Sequence, residues 1–174
     1  VESCFNQLEK ILDGQCEIEE RMRLRVSIRR DNREIFRQRV LNDAVINKGA
    51  LARIIDLKTS IDGHFLTHYR GDGLIISTPT GSTAYNLSAG GPICQSSVPC
   101  LLIAPICPHA LGMRQLVVPE PTLIEIILLG TGEGAVLNAD GQETCVLEDH
   151  DHPPFQLAEA RGRPVTSPKS STHL

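Results

Sequence analysis

Ile55-Asp56-Leu57-Lys58-Thr59-Ser60-Ile61-Asp62-Gly63-His64-Phe65-Leu66-Thr67-His68-Tyr69 is the stretch that decides the fold class. Ile55, Leu57, Thr59 and Ile61 occupy every second position, and side chains two apart share one face of a strand. Asp62-Gly63 then supplies residues that accept positive φ at both central positions of a two-residue hairpin turn. Phe65 to Tyr69 is the predicted returning strand. Upstream the same period recurs. Leu24, Val26 and Ile28 alternate with Arg23, Arg25, Ser27 and Arg29, and Asp31-Asn32 makes a turn before an extended stretch from Ile35 to Ile46.

Downstream, Leu74 to Ser77, Leu101 to Ile106, Leu116 to Val118, Leu123 to Leu129, Val136 to Asn138 and Thr144 to Leu147 read as further short strands. Helix is sparse. One is predicted over Val1 to Ile11, with Phe5, Leu8, Ile11 and Leu12 on one face and Asp13-Gly14 as its stop. Another short piece begins near Ser82. Many short strands with turn signals between them predict a mainly β, layered sandwich-like domain with few short helices. It should span residues 21–150, after a helical segment over 1–20. From 151 to 174 Pro, Ser, Thr, Arg and His dominate, and that stretch reads as a flexible tail.

Composition narrows the function classes. The 174 residues are 41% hydrophobic, enough to build a core. Aromatics are only 3% and Trp is absent, which excludes a stacking platform for single-stranded nucleic acid. A net charge of −4 argues against a general polyanion binder. Yet eight Arg and two acids lie between Arg21 and Arg39. Their alternation with apolar residues suits the solvent face of strands; a local phosphate-attracting patch is the sharper reading.

The six Cys form no C-x-x-C pair, and Cys107-Pro108-His109 sets two candidate ligands too close together, so no metal site is expected. No signal peptide or long apolar run is visible, so the expectation is a cytoplasmic protein with reduced thiols and no membrane or nucleic-acid partner.

The chemistry concentrates in Gly71 to Pro92, GDGLIISTPTGSTAYNLSAGGP. An apolar strand runs into a hydroxyl-rich loop, then a short helix over Ala84 to Ala89 closed by Gly90-Gly91-Pro92, with Ser or Thr expected as its cap. The free N–H groups of a helix start, a Gly that permits close approach and flanking hydroxyls suit a phosphate, a ribose or a base edge. The alternative is a turn that only caps a helix. The Lys of G-x-x-x-x-G-K-[ST] is missing, so this is no ordinary P-loop, and Gly81-Ser82 is no nucleophile elbow.

Thr78-Pro79-Thr80-Gly81-Ser82-Thr83-Ala84-Tyr85, followed by Ser88-Ala89-Gly90-Gly91-Pro92, resembles the signature of the NAD kinase family. Leu41-Asn42-Asp43-Ala44-Val45-Ile46, Arg70-Gly71-Asp72-Gly73, Pro105-Ile106-Cys107-Pro108-His109 and Asp140-Gly141-Gln142 resemble further family elements in order. The resemblance implies phosphoryl transfer from ATP or polyphosphate, with Mg²⁺, to the 2′-hydroxyl of the adenosine ribose of NAD. It implies that Asn42 and Asp43 hold the adenosine end, the carboxylate accepting from a ribose diol. Thr83, Ala84, Tyr85, Asn86, Leu87 and Ser88 would line the nucleotide pocket. Arg53 and Arg70 would face pyrophosphate, Asp72 the nicotinamide half, and Gln142 would supply an amide.

The resemblance also implies a homodimer or homotetramer whose pocket borrows residues from a neighbour, and an N-terminal α/β domain of which residues 1–20 are the remnant or to which they are the connecting helix. Two departures stand out: Asp43 where Glu is usual, and Gln115 in place of a Pro. The family's Gly-Gly-Asp-Gly motif, with its general-base Asp, does not occur in these 174 residues. No catalytic residue is therefore assigned here. The expectation is part of a longer enzyme, inactive alone. A non-catalytic NAD-binding or assembly module is the alternative. A lipid kinase of the diacylglycerol or sphingosine type is disfavoured by Thr78 to Tyr85.

Overall fold

The structure, a computed structural model, describes residues 2–14, 18–49, 54–110, 112–130, 134–148, 154–156 and 165–166. Helix α1 (Glu2–Leu12) precedes strands β1 (Ile18–Glu19), β2 (Leu24–Arg30), β3 (Arg33–Val40), β4 (Asp43–Asn47), β5 (Ile55–Ile61), β6 (His64–Gly71) and β7 (Gly73–Ser77). A 3₁₀ turn (Thr80–Thr83) and helix α2 (Tyr85–Ser88) follow. Then come β8 (Cys100–Ile106), β9 (Leu116–Pro119), β10 (Leu123–Leu129), β11 (Val136–Ala139), β12 (Glu143–Val146), β13 (Pro154–Gln156) and β14 (Val165–Thr166).

Two six-stranded antiparallel sheets carry the fold, one in the order β3-β2-β13-β10-β5-β6 and the other β12-β11-β4-β7-β8-β9. They meet as a sandwich. Leu24, Val26, Ile28, Ile55, Leu57, Ile124, Ile126 and Leu128 of the first sheet share one core cluster with Ile46, Leu74, Ile76, Leu101, Ile103 and Leu137 of the second. Alternation explains which residues enter it. Along β2 the Leu, Val and Ile are fully buried while Arg25 and Arg29 point outward, so the Arg run lies on the solvent face. The opposite face of the second sheet buries a smaller cluster, Val45, Ile75 and Ala104, against Ala89 after α2.

The turns behave as the sequence predicts. Asp31-Asn32 joins β2 to β3 with φ of 50° and 61°, and Asp62-Gly63 joins β5 to β6 with φ of 49° and 78°. Three expectations need correction. The extended stretch from Ile35 to Ile46 is two strands in different sheets, with Leu41-Asn42 as the corner between them. The expected tail holds Pro154–Gln156, which inserts between β2 and β10 and pairs Phe155 with both Val26 and Ile124. Pro154 stands first in that strand, where a missing N–H is tolerated. Finally, α1 forms as expected, but of its apolar face only Ile11 is half-buried, while Phe5, Leu8 and Leu12 are 61%, 49% and 76% exposed.

Candidate functional site

The second sheet gathers the residues singled out in the sequence at its two ends. Asp43 pairs with Ser77 at one end of β4 and β7, and Asn47 pairs with Gly73 at the other. Four residue steps at strand rise separate those ends by about 13 Å.

At the first end, Leu41-Asn42-Asp43 is gripped from two sides. From the β11–β12 turn, the Asp140 carboxylate accepts the backbone N–H groups of Leu41 (2.7 Å), Asn42 (2.8 Å) and Asp43 (3.1 Å). Asp140 N–H returns a bond to the Asp43 carbonyl at 3.0 Å. From the loop after β7, Thr78 N–H and Ser77 Oγ donate to the Asn42 carbonyl at 2.9 and 3.2 Å, and Thr78 Oγ1 donates to the Leu41 carbonyl at 2.5 Å. Gly81 seals the joint: a Cβ there would stand 2.1 Å from the Asn42 oxygen. The close approach that Gly81 permits is therefore to Asn42 within the chain, not to a ligand.

The same bonds correct the reading of the hydroxyl-rich loop. Ser77, Thr78 and Ser82 are fully buried, and their hydroxyls are spent inside the protein; Ser82 Oγ donates to the Cys94 carbonyl and accepts from its N–H. The helix is shorter than expected. A 3₁₀ turn breaks at Ala84 and α2 holds only four residues with no side-chain cap. Thr78 Oγ1 instead accepts the Gly81 N–H at 3.2 Å, which initiates the turn. Gly90 and Gly91 close α2 as expected, with N–H bonds to Leu87 and Asn86 carbonyls of 3.0 and 2.9 Å. Gln115 Nε2 donates to the Ala89 carbonyl at 3.2 Å, a contact that Pro could not make.

What this scaffold leaves unspent is informative. Asp43 is 6% exposed, and its carboxyl makes no hydrogen bond or ion pair among the described residues. Desolvation by burial, then the nearby Asp140 charge, raise its pKa from 3.8 to about 6. Asn86 is fully buried; its Nδ2 donates to the carbonyls of Ser82 and Pro92, while Oδ1 has no partner among the described residues. Gly91 makes room for that amide, since a Cβ there would lie 2.2 Å from Oδ1. Thr83 and Ser88 are exposed, Ala84 is half-buried, and Tyr85 and Leu87 are 43% and 45% exposed. Gln142 is exposed on the turn that carries Asp140. The Asp43 carboxyl can accept hydroxyl or amine donors, and the exposed Tyr85 and Leu87 can cover an apolar ring.

At the far end, Gly71-Asp72-Gly73 is the point where the chain passes from the first sheet into the second. Asp72 pairs with Lys48 Nζ at 2.7 Å, and its backbone is fixed by Ile106 and Lys48. Arg70 is directed at Asp56, 3.6 Å away, and is 65% exposed. Arg53 lies outside the described residues. The structure thus joins Asn42, Asp43, the 83–88 segment and Gln142 at one end, and places Arg70 and Asp72 at the other. Sequence reasoning missed Asp140. An Asp-Gly pair reads as a hairpin, and only the register shows that its carboxylate organises the Asn42 corner.

Residues 41–161 match the family described as the ATP-NAD kinase C-terminal domain. The chain belongs to that family.

Among curated relatives, it is 59% identical over 151 residues to the NAD kinase of Syntrophobacter fumaroxidans, covering 87% of this chain and 53% of that protein. It is 52% identical over 163 residues to the NAD kinase of Geotalea daltonii, covering 94% and 57%. The chain therefore spans about half the length of the curated relatives it matches. Among solved structures, yeast NADH kinase complexed with NADH superposes with a TM-score of 0.82 at 30% identity, covering 87% of this chain and 44% of that one. An NAD kinase from Archaeoglobus fulgidus in complex with ATP gives 0.72 at 28% identity, covering 95% and 60%. The β-sandwich is thus the C-terminal domain fold of the family, and the element that resembled its signature is the loop that locks Asn42.

Proposed function

We propose that this chain is the dinucleotide-binding part of an NAD kinase, which transfers a phosphoryl group from ATP or polyphosphate to the 2′-hydroxyl of the adenosine ribose of NAD. One observation carries the reading: a buried Asp43 carboxyl, without a partner among the described residues, set beside the rigid Asn42 corner. Burying a carboxyl with nothing to pair costs stability, so a ligand donor is the economical explanation. A ribose diol offers two O–H donors to such an acceptor. Asn42 can meet a base edge with both an acceptor and a donor. Thr83, Ala84, Tyr85, Leu87 and Ser88 line the open side, Asn86 Oδ1 is a second buried acceptor and Gln142 supplies an amide. The names of the relatives, an NADH complex and an ATP complex among them, support this choice of ligand.

Asp72 adjoins the other end of β7, six residue steps or about 20 Å along the sheet from Asn42, and Arg70 precedes it on β6. In this reading a second copy of the chain, in a homodimer or homotetramer, brings its own Arg70 and Asp72 to the pyrophosphate and nicotinamide end, and Arg53 is assigned to the pyrophosphate as well. The chain's own part is to hold the acceptor hydroxyl in place and keep water from it, which is most of what phosphoryl transfer asks of a protein. Mg²⁺ enters with the triphosphate: among the described residues no three His, Cys, Asp or Glu converge, and both Asp140 oxygens are spent on backbone N–H groups. No Gly-Gly-Asp-Gly motif occurs in the 174 residues, so the polypeptide should bind NAD without phosphorylating it. A cytoplasmic setting with reduced thiols completes the proposal; among the described residues no helix is long and apolar enough to cross a membrane.

The test has two arms. Millimolar NAD should raise the melting temperature of this chain, as any ligand of the native state does. In the complete enzyme, Asn42→Ala should cut NADP formation from NAD, ATP and Mg²⁺ at least tenfold. No thermal shift together with wild-type kinetics would refute the assignment. The alternative, a non-catalytic binding module, predicts the shift but no NADP from the complete protein.

A further inference from the structure

Cys94 and Cys100 bracket the five residues between the Gly91-Pro92 stop and β8, and their Sγ atoms lie 3.3 Å apart. Closing that gap to a disulfide requires a movement of about 1.3 Å. The two thiols are unlike. Cys94 is half-buried, and Cys100, the first residue of β8, is 3% exposed. Cys94 is also tied to the signature loop, because its backbone N–H and carbonyl both bond to Ser82 Oγ at 3.0 and 3.1 Å. Ser82 is fully buried and belongs to the 3₁₀ turn that delivers Thr83, Ala84 and Tyr85.

We propose that Cys94 and Cys100 form a reversible disulfide that controls the position of the 82–85 segment. The co-reactant is a small-molecule disulfide such as oxidised glutathione. Cys94, the accessible member, attacks one sulfur of that disulfide as a thiolate and expels the first glutathione thiol. Cys100 then attacks Cys94 Sγ, the mixed S–S bond breaks and the second glutathione leaves. Both cysteines give up their protons; the protein pair is oxidised by two electrons and glutathione is reduced by two.

Burial, followed by the hydrogen bond and charge of Cys94, pushes the Cys100 thiol up to about 12, so Cys100 keeps its proton at neutral pH and the second step quickens as pH rises. Forming the bond draws Cys94 toward β8. Both Ser82 hydrogen bonds follow the Cys94 backbone, so the turn moves with them. This last consequence rests on the nucleotide-site reading above; the disulfide itself does not.

The experiment uses the whole chain, with and without oxidised glutathione, followed by unfolding in guanidinium chloride at pH 8.5 with excess iodoacetamide so that every free thiol is alkylated, then trypsin and mass spectrometry. No Lys or Arg lies between Arg70 and Arg114, so Cys94, Cys100 and Cys107 emerge in one peptide, Gly71–Arg114. The reduced protein should carry three carbamidomethyl groups on it. The oxidised protein should carry one, at Cys107, and should regain three after dithiothreitol. Three groups after oxidation, or a cross-link through Cys107, would overturn the proposal.

Calorimetry on the same samples should show NAD binding weakened at least fivefold by oxidation, restored by dithiothreitol and insensitive to oxidant in Cys94→Ser. A cross-linked protein with unchanged NAD affinity would overturn the control of the loop. If the reduced protein binds no NAD at all, the nucleotide-site reading fails while the peptide masses still decide the disulfide.

Discussion

Asp43→Asn should make this domain more stable and a poorer NAD binder at the same time, with the stability gain confined to neutral and alkaline pH. The carboxyl pKa is raised from 3.8 to about 6 by burial and by Asp140. At about 1.4 kcal/mol per pKa unit the ceiling on the effect is about 3 kcal/mol. The corner lies at the end of the sheet, and screening there reduces the figure to on the order of 2 kcal/mol.

The sign follows from which state releases its proton first. Below pH 3.8 both folded and unfolded chains hold the proton, and Asp43 costs nothing. As pH climbs from about 4 to about 6 the unfolded chain ionises ahead of the native one, and native stability falls. Above about 6 the whole penalty is present. Asn removes the charge and keeps the shape, so it relieves that penalty only above the transition.

For a chain of this size about 2 kcal/mol corresponds to a melting-temperature gain of roughly 4–8 °C at pH 7.5. The gain should shrink toward zero at pH 4. Thermal unfolding followed by circular dichroism, wild type against variant from pH 4 to 8, reads it directly. A difference independent of pH, or a variant less stable at pH 7.5 than the wild type, would refute the reasoning.

Substitutions at three other positions probe the scaffold by denaturant unfolding. Gly81→Ala sets a methyl 2.1 Å from the Asn42 oxygen and should cost about 3 kcal/mol or more; a loss below 1 kcal/mol would mean that the loop is not pinned there. Asp140→Ala removes the acceptor of three backbone N–H groups from a residue with φ of 49°, and should also cost about 3 kcal/mol. Asp140→Gly, which suits the positive φ, should be milder by about 1 kcal/mol, and equal losses would show that backbone strain plays no part. Thr59 is fully buried and its Oγ1 has no partner among the described residues, so Thr59→Val should be neutral or stabilising by about 1 kcal/mol; a clear loss would reveal a partner for that hydroxyl.

Period-two alternation made the sandwich legible, because in β2 and β5 a buried residue at every second position is a physical requirement of a two-layer core. The Asp-Asn and Asp-Gly turns were legible for the same kind of reason. The corner at Leu41-Asn42 was not: Asn42-Asp43 interrupts the apolar run, but nothing local says that the strand changes sheets there. Pro154–Gln156 is too short to show a period. Within the site, the sequence pointed to Asn42, Asp43 and the Thr78 to Tyr85 loop as one constellation, and the register brings them together. It could not reveal that Ser77, Thr78 and Ser82 turn inward. Composition counts hydroxyls, but partners are set by the fold. Nor could it show that Arg70 and Asp72 stand a strand's length away, because that distance depends on which end of β7 each neighbour occupies.

The central claim is that Asp43 accepts the hydroxyls of the adenosine ribose. Isothermal titration at pH 7.5 of NAD, and of an analogue lacking the adenosine-ribose 2′- and 3′-hydroxyls, into wild type and Asp43→Asn tests it most directly. The predicted result is at least tenfold weaker binding of the analogue to the wild type, with the gap nearly closed in the variant. Equal affinity of the wild type for the two ligands would contradict it.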